Sequence, residues 1–334
     1  MSSGIVCTAL TGEDGLEIRE WPARPLAPGE LRIAVRAASV NYPDVLMIRG
    51  QYHDQAEPPF VVGTECAGEV IDLGPDVTGF VPGDRVLALT GTGAFATETI
   101  ARPGPNQVLR IPDSMLWTDA AALNITYGTA YHGLIRRGRL AAGETVAITG
   151  ASGGCGSAAI QVAKAAGADT VVAIAGGREK CDLARSLGAD VVIDHTETPD
   201  YSSAVREATG KAGVDVFFDP VGGADNREAL RSIAWGGRYL VIGFAGGIPV
   251  VRLNQTILKN ISLIGVAYGM SAFLDPTKNA EDWTELFRWY GEGKVKPAVG
   301  HVYPLARGID AIRAVYERRA AGKVVIAMPE RAGA

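Results

Sequence analysis

The sequence has little of what several function classes require. Cysteine occurs four times in 334 residues, at Cys7, Cys66, Cys155 and Cys181, with no Cys-x-x-Cys pair. That excludes a disulfide framework or a cysteine-built metal site and fits a reducing, cytoplasmic setting. Histidine also occurs four times, and His53, His132 and His301 have no spaced partner. No Ser/His/Asp or Cys/His set is evident, so these three read as structural or solvated. There is no long basic run and the net charge is −5, which argues against nucleic acid as a partner. Apolar runs are only strand length, so no segment is expected to cross a membrane. The first residues, MSSGIVCTALTG, lack the basic start and apolar stretch of a signal peptide. No internal repeat or low-complexity segment is visible.

What is present is glycine in a telling place. From Glu144 to Gly177 the chain reads ETVAITGASGGCGSAAIQVAKAAGADTVVAIAGG. Thr145 to Thr149 is an apolar run fit for one buried parallel strand. The turn Gly150-Ala151-Ser152-Gly153-Gly154-Cys155-Gly156 follows, then a helix over Ser157 to Ala166, then a second strand over Val171 to Ala175. This is a strand–turn–helix–strand unit of the kind that binds a dinucleotide. Gly153 lets the backbone lie against a pyrophosphate, Gly156 lets the helix pack close to the strand, and the helix start points N–H groups at the phosphates. Ser152, Gly153, Gly154, Cys155 and Gly156 are therefore cofactor-binding candidates. Ala151 stands where the usual glycine pattern begins.

The tip of the second strand selects the cofactor. A site for NAD usually ends this strand with Asp or Glu on the ribose 2′-hydroxyl. Here Gly176-Gly177 is followed by Arg178-Glu179-Lys180. A carboxylate would repel a 2′-phosphate and a base would pair with it, so Gly176, Arg178 and Lys180 point to NADPH. Arg178 and Lys180 also read as solvated residues opening the next helix.

At 334 residues, 47% hydrophobic and 21% charged, the chain suits two globular domains. Residues 4–111 carry short apolar runs separated by turn signals such as Ala27-Pro28-Gly29-Glu30, as in a barrel-like antiparallel domain. After Ser114 helices appear, and then strand and helix alternate. Helices are expected at Asn124–Gly138, Arg178–Leu187, Tyr201–Thr209 and Ala224–Ala234. Strands are expected at Val191–Ile193, Val214–Asp219, Gly237–Ile242 and Ile261–Val266. Alternation of this kind makes a parallel sheet covered by helices. The last strand, Val324–Ala327, has no sheet of its own and is expected to return to the first domain. The expected division is 1–122 completed by 272–334, with 123–271 as the dinucleotide domain.

With these residues in view, the sequence resembles the medium-chain dehydrogenase/reductase superfamily, and within it the zinc-free quinone oxidoreductase (zeta-crystallin-like) branch. The resemblance covers nearly the whole chain. It rests on Asn41-Tyr42-Pro43-Asp44, Arg49-Gly50-Gln51-Tyr52, Gly63-Thr64-Glu65-Cys66-Ala67-Gly68-Glu69-Val70, Gly83-Asp84-Arg85-Val86, Gly150 to Gly156, Leu187-Gly188-Ala189-Asp190, Asp219-Pro220-Val221-Gly222-Gly223 and Gly322-Lys323-Val324-Val325. It implies an α/β chain: a GroES-like β-barrel catalytic domain plus a Rossmann doubly wound parallel-sheet domain. Zinc-dependent relatives carry Cys near Asn41 and His where Thr64 stands. Neither Asn nor Thr is a usual zinc ligand, so no metal is expected. The implied activity is hydride transfer from NADPH to a quinone or a carbonyl-conjugated alkene. The alternative is an enoyl-thioester reductase of the acryloyl-CoA kind, which calls for a basic entry for a CoA phosphate; the sequence offers Arg49 and Arg252 without placing them there. An alternative of another class is a crystallin-like or RNA-binding protein without catalysis. A homodimer is implied, with Ile261–Val266 as a pairing edge.

The resemblance also nominates residues. Tyr52 is a catalytic candidate that can stabilise an oxyanion or give a proton, or else it packs over the barrel. Asn41 can bond the substrate oxygen or the nicotinamide ribose, or is a turn residue. Asp44 is a cofactor candidate or a helix cap. Thr126 matches a position near the nicotinamide. Tyr42 and Tyr127 line the substrate pocket or the core. His195, where relatives often carry Tyr, can meet the adenosine end. Gly243 and Phe244 end a strand on the ligand-binding edge of the sheet, with Phe244 on the substrate side as well. Lys323 can reach cofactor phosphate.

Overall fold

Nearly continuous burial along Leu31–Val40 suits it to the middle of a seven-stranded sheet in a computed structural model of the chain. The structure describes residues 2–52, 56–104, 108–210, 212–223 and 226–329. His53, the start of the expected helix at Ala224 and the last residues, 330–334, lie outside them. Contacts divide the chain into two units: Met1–Ile125, Asp275–Ala280 and Val299–Ala334, and Thr126–Leu274 with Glu281–Ala298.

In the first unit the seven-stranded sheet runs Val299–Pro304, Lys323–Ala327, Leu31–Val40, Glu65–Leu73, Arg85–Leu89 and Val108–Arg110, with Glu98–Ala101 also on Leu31–Val40. The register sets Val40 against Val324 and Ser39 against Glu65. The closing strand thus lies antiparallel beside the first long strand. A smaller sheet places Ser2–Cys7 between Leu16–Trp21 and Phe60–Val61. Ile5, Ile33, Val70, Phe95 and Ile326 belong to one buried core.

The second unit holds six parallel strands: Thr145–Ile148, Thr170–Ala175, Val191–Asp194, Val214–Asp219, Ile233–Val241 and Ser262–Gly265. Taken in chain order they stand 3-2-1-4-5-6 across the sheet. That is the order of a doubly wound dinucleotide fold. The central strands are continuously apolar because helices cover both faces.

Three details differ from the sequence reading. Residues 281–298 group with the second unit rather than completing the first, because Arg136 Nε bonds Asp282 at 2.7 Å and Gln161 bonds Lys296 O at 2.9 Å and Lys296 N at 2.6 Å. The helix expected to Ala234 is only Arg227–Ser232, since the strand begins at Ile233 to pair with Val214. The helix from Asn124 becomes a π-helix over His132–Arg137, where Gly138 N–H donates to Gly133 O at 2.7 Å. Among the described residues no helix is long and apolar enough to cross a membrane.

Candidate functional site

In the second unit the glycine-rich turn leaves the carboxyl end of the central strand Thr145–Ile148. Gly150 has φ +55°, a left-handed turn that favours glycine. Gly153 N–H donates to Gly150 O at 2.9 Å, and Gly153 caps the helix Gly154–Ala165. A Cβ on Gly156 would lie 2.1 Å from Gly150 O, so only glycine lets helix and turn approach this closely. A Cβ on Gly153 would meet Gly150 O at 3.3 Å, so internal packing restricts that position less. The first turn of the helix contains no acid. Ser152 is buried and Cys155 is half-buried and outside any disulfide. A helix start with close backbone and no opposing charge can hold a pyrophosphate.

The neighbouring strand ends bring further candidates to the same edge of the sheet. A Cβ on Gly176 would lie 2.7 Å from His195 Nε2, so the imidazole rests on that glycine. Arg178 opens the next helix with its side chain 95% exposed and Asp182 at 3.8 Å. Lys180 is half-buried one turn-position on. An acid that sequence reasoning missed also sits here. Asp194, at the end of the third strand, accepts Gly177 N–H at 3.0 Å and Thr196 N–H at 2.9 Å. The Thr196 and Gly177 donors hold its carboxyl below the usual range. Sequence spacing hid it because the acid was sought on the second strand, and parallel pairing delivers it from the third.

Gly243 and Phe244 follow the fifth strand, and Gly243 N–H donates to Asp219 O at 3.4 Å. Phe244 is exposed. Thr126 and Tyr127 are each 1% exposed, so Tyr127 belongs to the core and presents no face as a pocket wall. His132 is pushed down by burial and by Arg137 and Arg136, a neutral packed imidazole. His301 is exposed beside Tyr303.

In the first unit, three strand ends converge on one buried polar cluster. Asn41 follows Leu31–Val40, Glu65 starts its strand and Lys323 starts the closing strand. Lys323 Nζ donates to Asn41 Oδ1 at 2.7 Å, to Glu65 Oε1 at 3.1 Å and to Val40 O at 3.4 Å. Asn41 Nδ2 donates to Glu65 Oε1 at 2.8 Å and to Ser39 O at 3.2 Å. Glu65 also accepts the Ser39 hydroxyl, and its Oε2 accepts Ile125 N–H at 2.9 Å. Lys323 and Glu65 are 4% and 1% exposed. The ammonium expected on a cofactor phosphate is therefore committed to an internal ion pair, which is a correction to its expected role. Glu65, quoted only as part of a motif, is the residue that sequence reasoning missed.

Asp44 Oδ2 accepts Asn41 N–H at 2.7 Å, the reciprocal half of a helix-capping arrangement. Burial pushes its carboxyl up to about 7, against the Asn41 amide, the Thr64 hydroxyl and Lys323, which all favour the anion. Tyr42 is half-buried. Tyr52 is half-buried and packs against the barrel core. Arg49 is paired with Glu13 at 2.5 Å and stacked 3.8 Å from the Tyr316 ring centroid, so it is not an open phosphate ligand. Arg252 is exposed. Among the described residues no group of three or more His, Cys, Asp or Glu is placed to hold a metal ion.

Comparison with known proteins follows the same division. Residues 27–113 match the family described as "Alcohol dehydrogenase GroES-like domain", and residues 154–291 match "Zinc-binding dehydrogenase". The chain is 36% identical over 324 residues to quinone oxidoreductase-like protein 2 of Rattus norvegicus, covering 97% of this chain and 91% of that one. A quinone oxidoreductase of Pseudomonas syringae pv. Tomato DC3000 superposes with TM-score 0.89 at 27% identity, over 98% of this chain and 100% of that one. The CurK enoyl reductase superposes with TM-score 0.86 at 26% identity, over 98% and 99%. A GroES-like barrel joined to a Rossmann-like parallel sheet, with this likeness along its length, makes the chain an oxidoreductase of the medium-chain dehydrogenase/reductase superfamily, in its quinone oxidoreductase branch.

Proposed function

We propose that the chain is an NADPH-dependent, zinc-independent reductase that passes hydride to a quinone or a carbonyl-conjugated alkene. The observation that carries this is the turn Gly150–Gly156, at the carboxyl edge of a 3-2-1-4-5-6 sheet and without an acid in its helix start. Members of the superfamily bind a nicotinamide cofactor, and Arg178 and Lys180 favour the form with a 2′-phosphate. Asp194 opposes that preference, and the two bases outweigh it in this reading. Bound NADPH supplies the hydride. Ser152 to Gly156 hold the pyrophosphate, His195 and Gly176 shape the adenosine end, and Gly243 and Phe244 serve the nicotinamide end, while Thr126 is as buried as Tyr127 and is withdrawn from it.

Hydride addition leaves an oxyanion or enolate that needs a hydrogen-bond donor. Tyr52 is proposed for that role, with Tyr42 as a further substrate-pocket candidate of the first unit and Phe244 as one of the second. Both amide hydrogens of Asn41 are donated to Ser39 O and Glu65, and Oδ1 already accepts from Lys323. Asn41 is left with one lone pair, which suits a donor such as a ribose hydroxyl and not an oxyanion. Zinc independence rests on residue type: Asn41 and Thr64 are poor zinc ligands, and a buried lysine already neutralises Glu65.

The likeness to CurK enoyl reductase favours an enoyl-thioester as a second reading of the acceptor. A homodimer is also proposed. Among the described residues the strand Ser262–Gly265 pairs only with Ile233–Val241, and Ile248, Val250, Leu253, Ile257 and Leu258 are more than 70% exposed nearby in sequence. The test of function is NADPH oxidation with a small quinone and a short enoyl-CoA in parallel. Turnover of the quinone supports the main reading, turnover of the thioester alone supports the second, and turnover of neither refutes both.

A further inference from the structure

We propose that Asp219 positions the dinucleotide-binding turn: its buried carboxylate ties Thr149, the residue before the turn, to the Val221–Gly222 loop that packs on Gly150. The proposal rests on the reading that a nicotinamide dinucleotide binds at 150–156. Asp219 ends the fourth strand in the centre of the sheet and is 3% exposed. Its Oδ1 accepts the Thr149 hydroxyl, Val221 N–H at 2.9 Å and Gly222 N–H at 3.0 Å. Its Oδ2 accepts the Tyr239 phenol from the fifth strand. Burial and the Asp219 charge push that phenol up, so it stays a donor. All four partners are neutral donors.

The two oxygens do different work. The Oδ1 side reaches the turn. A Cβ on Gly150 would lie 2.9 Å from Val221 Cγ2, so Val221 is seated directly on the first residue of the turn. Gly150 O in turn lies where a Cβ on Gly156 would be 2.1 Å away. Thr149, Gly150, Val221 and the helix start are therefore locked in one close-packed stack, and a small shift of any member passes to the phosphate-facing backbone. The Oδ2 side reaches Tyr239, which stacks on Phe217 at 5.8 Å within the sheet core. Carboxylate contacts on the first side govern cofactor binding, and those on the second govern stability.

The test uses the full chain and NADPH, followed by fluorescence titration and thermal melting. Thr149→Val removes one donor on the turn side and is expected to raise the NADPH Kd about tenfold. Thr149→Ser keeps the hydroxyl and is expected to restore Kd to within about twofold. Tyr239→Phe is expected to lower the melting temperature with Kd changed by less than about twofold. The proposal is overturned if Thr149→Val binds as tightly as wild type, or if Tyr239→Phe weakens binding as much. Failure of wild type to bind either NADPH or NADH instead overturns the cofactor reading beneath it.

Discussion

Replacing Lys323 by Met probes the buried cluster that joins three strands of the first unit. The ammonium and the Glu65 carboxylate are 3.1 Å apart and almost solvent-free. Methionine leaves Glu65 charged among the neutral donors Ser39, Asn41 and Ile125 N–H. Breaking a buried pair from one side costs about 3–5 kcal/mol. Glu65→Gln alone strands the ammonium and carries a similar cost. The double variant leaves no charge, so its cost falls short of the sum by at least about 2 kcal/mol. Denaturant unfolding of the four proteins measures this directly. Single costs that add to within about 0.5 kcal/mol would refute the reasoning, because independent sites behave that way.

Other consequences follow from the same geometry. Gly156→Val forces a side chain into Gly150 O and should weaken NADPH binding at least about tenfold in a fluorescence titration. Arg178→Gln with Lys180→Gln should lower the NADPH-over-NADH ratio of kcat/KM, while Asp194→Asn should raise it; unchanged ratios in both would remove these residues from cofactor selection. Asp44 is raised from 3.8 to about 7, so the folded chain holds a proton that the unfolded chain has lost. That contribution to stability is full below about pH 4 and is lost as pH rises through about 7. Asp44→Asn should flatten this part of the stability–pH curve. A monomeric mass in solution would contradict the pairing of Ser262–Gly265 with its copy.

The dinucleotide unit was legible because its signals are local. Strand, turn and helix adjoin in sequence, and each glycine acts on a neighbour within a few residues, as Gly156 does on Gly150. A helix-covered parallel sheet followed from strand–helix alternation, whereas its 3-2-1-4-5-6 order comes from the structure. The cluster of Asn41, Glu65 and Lys323 was not legible as a network. Its members are brought together only by the register that sets Ser39 against Glu65 and Val40 against Val324. Lys323 read as a residue able to reach cofactor phosphate because no neighbour in sequence announces its burial. Asp194 and Asp219 were hidden in the same way, since parallel pairing carries their carboxylates to the ends of other strands. The grouping of 281–298 with the second unit depends on Arg136–Asp282 and Gln161–Lys296, contacts that no local pattern predicts.

The central claim is a reductase that uses NADPH and needs no metal. The direct measurement is the rate of NADPH oxidation with a small quinone, by protein dialysed against a strong chelator and analysed for zinc. Metal-free protein is expected to show an unchanged rate. Loss of activity on chelation with recovery on added zinc would contradict it.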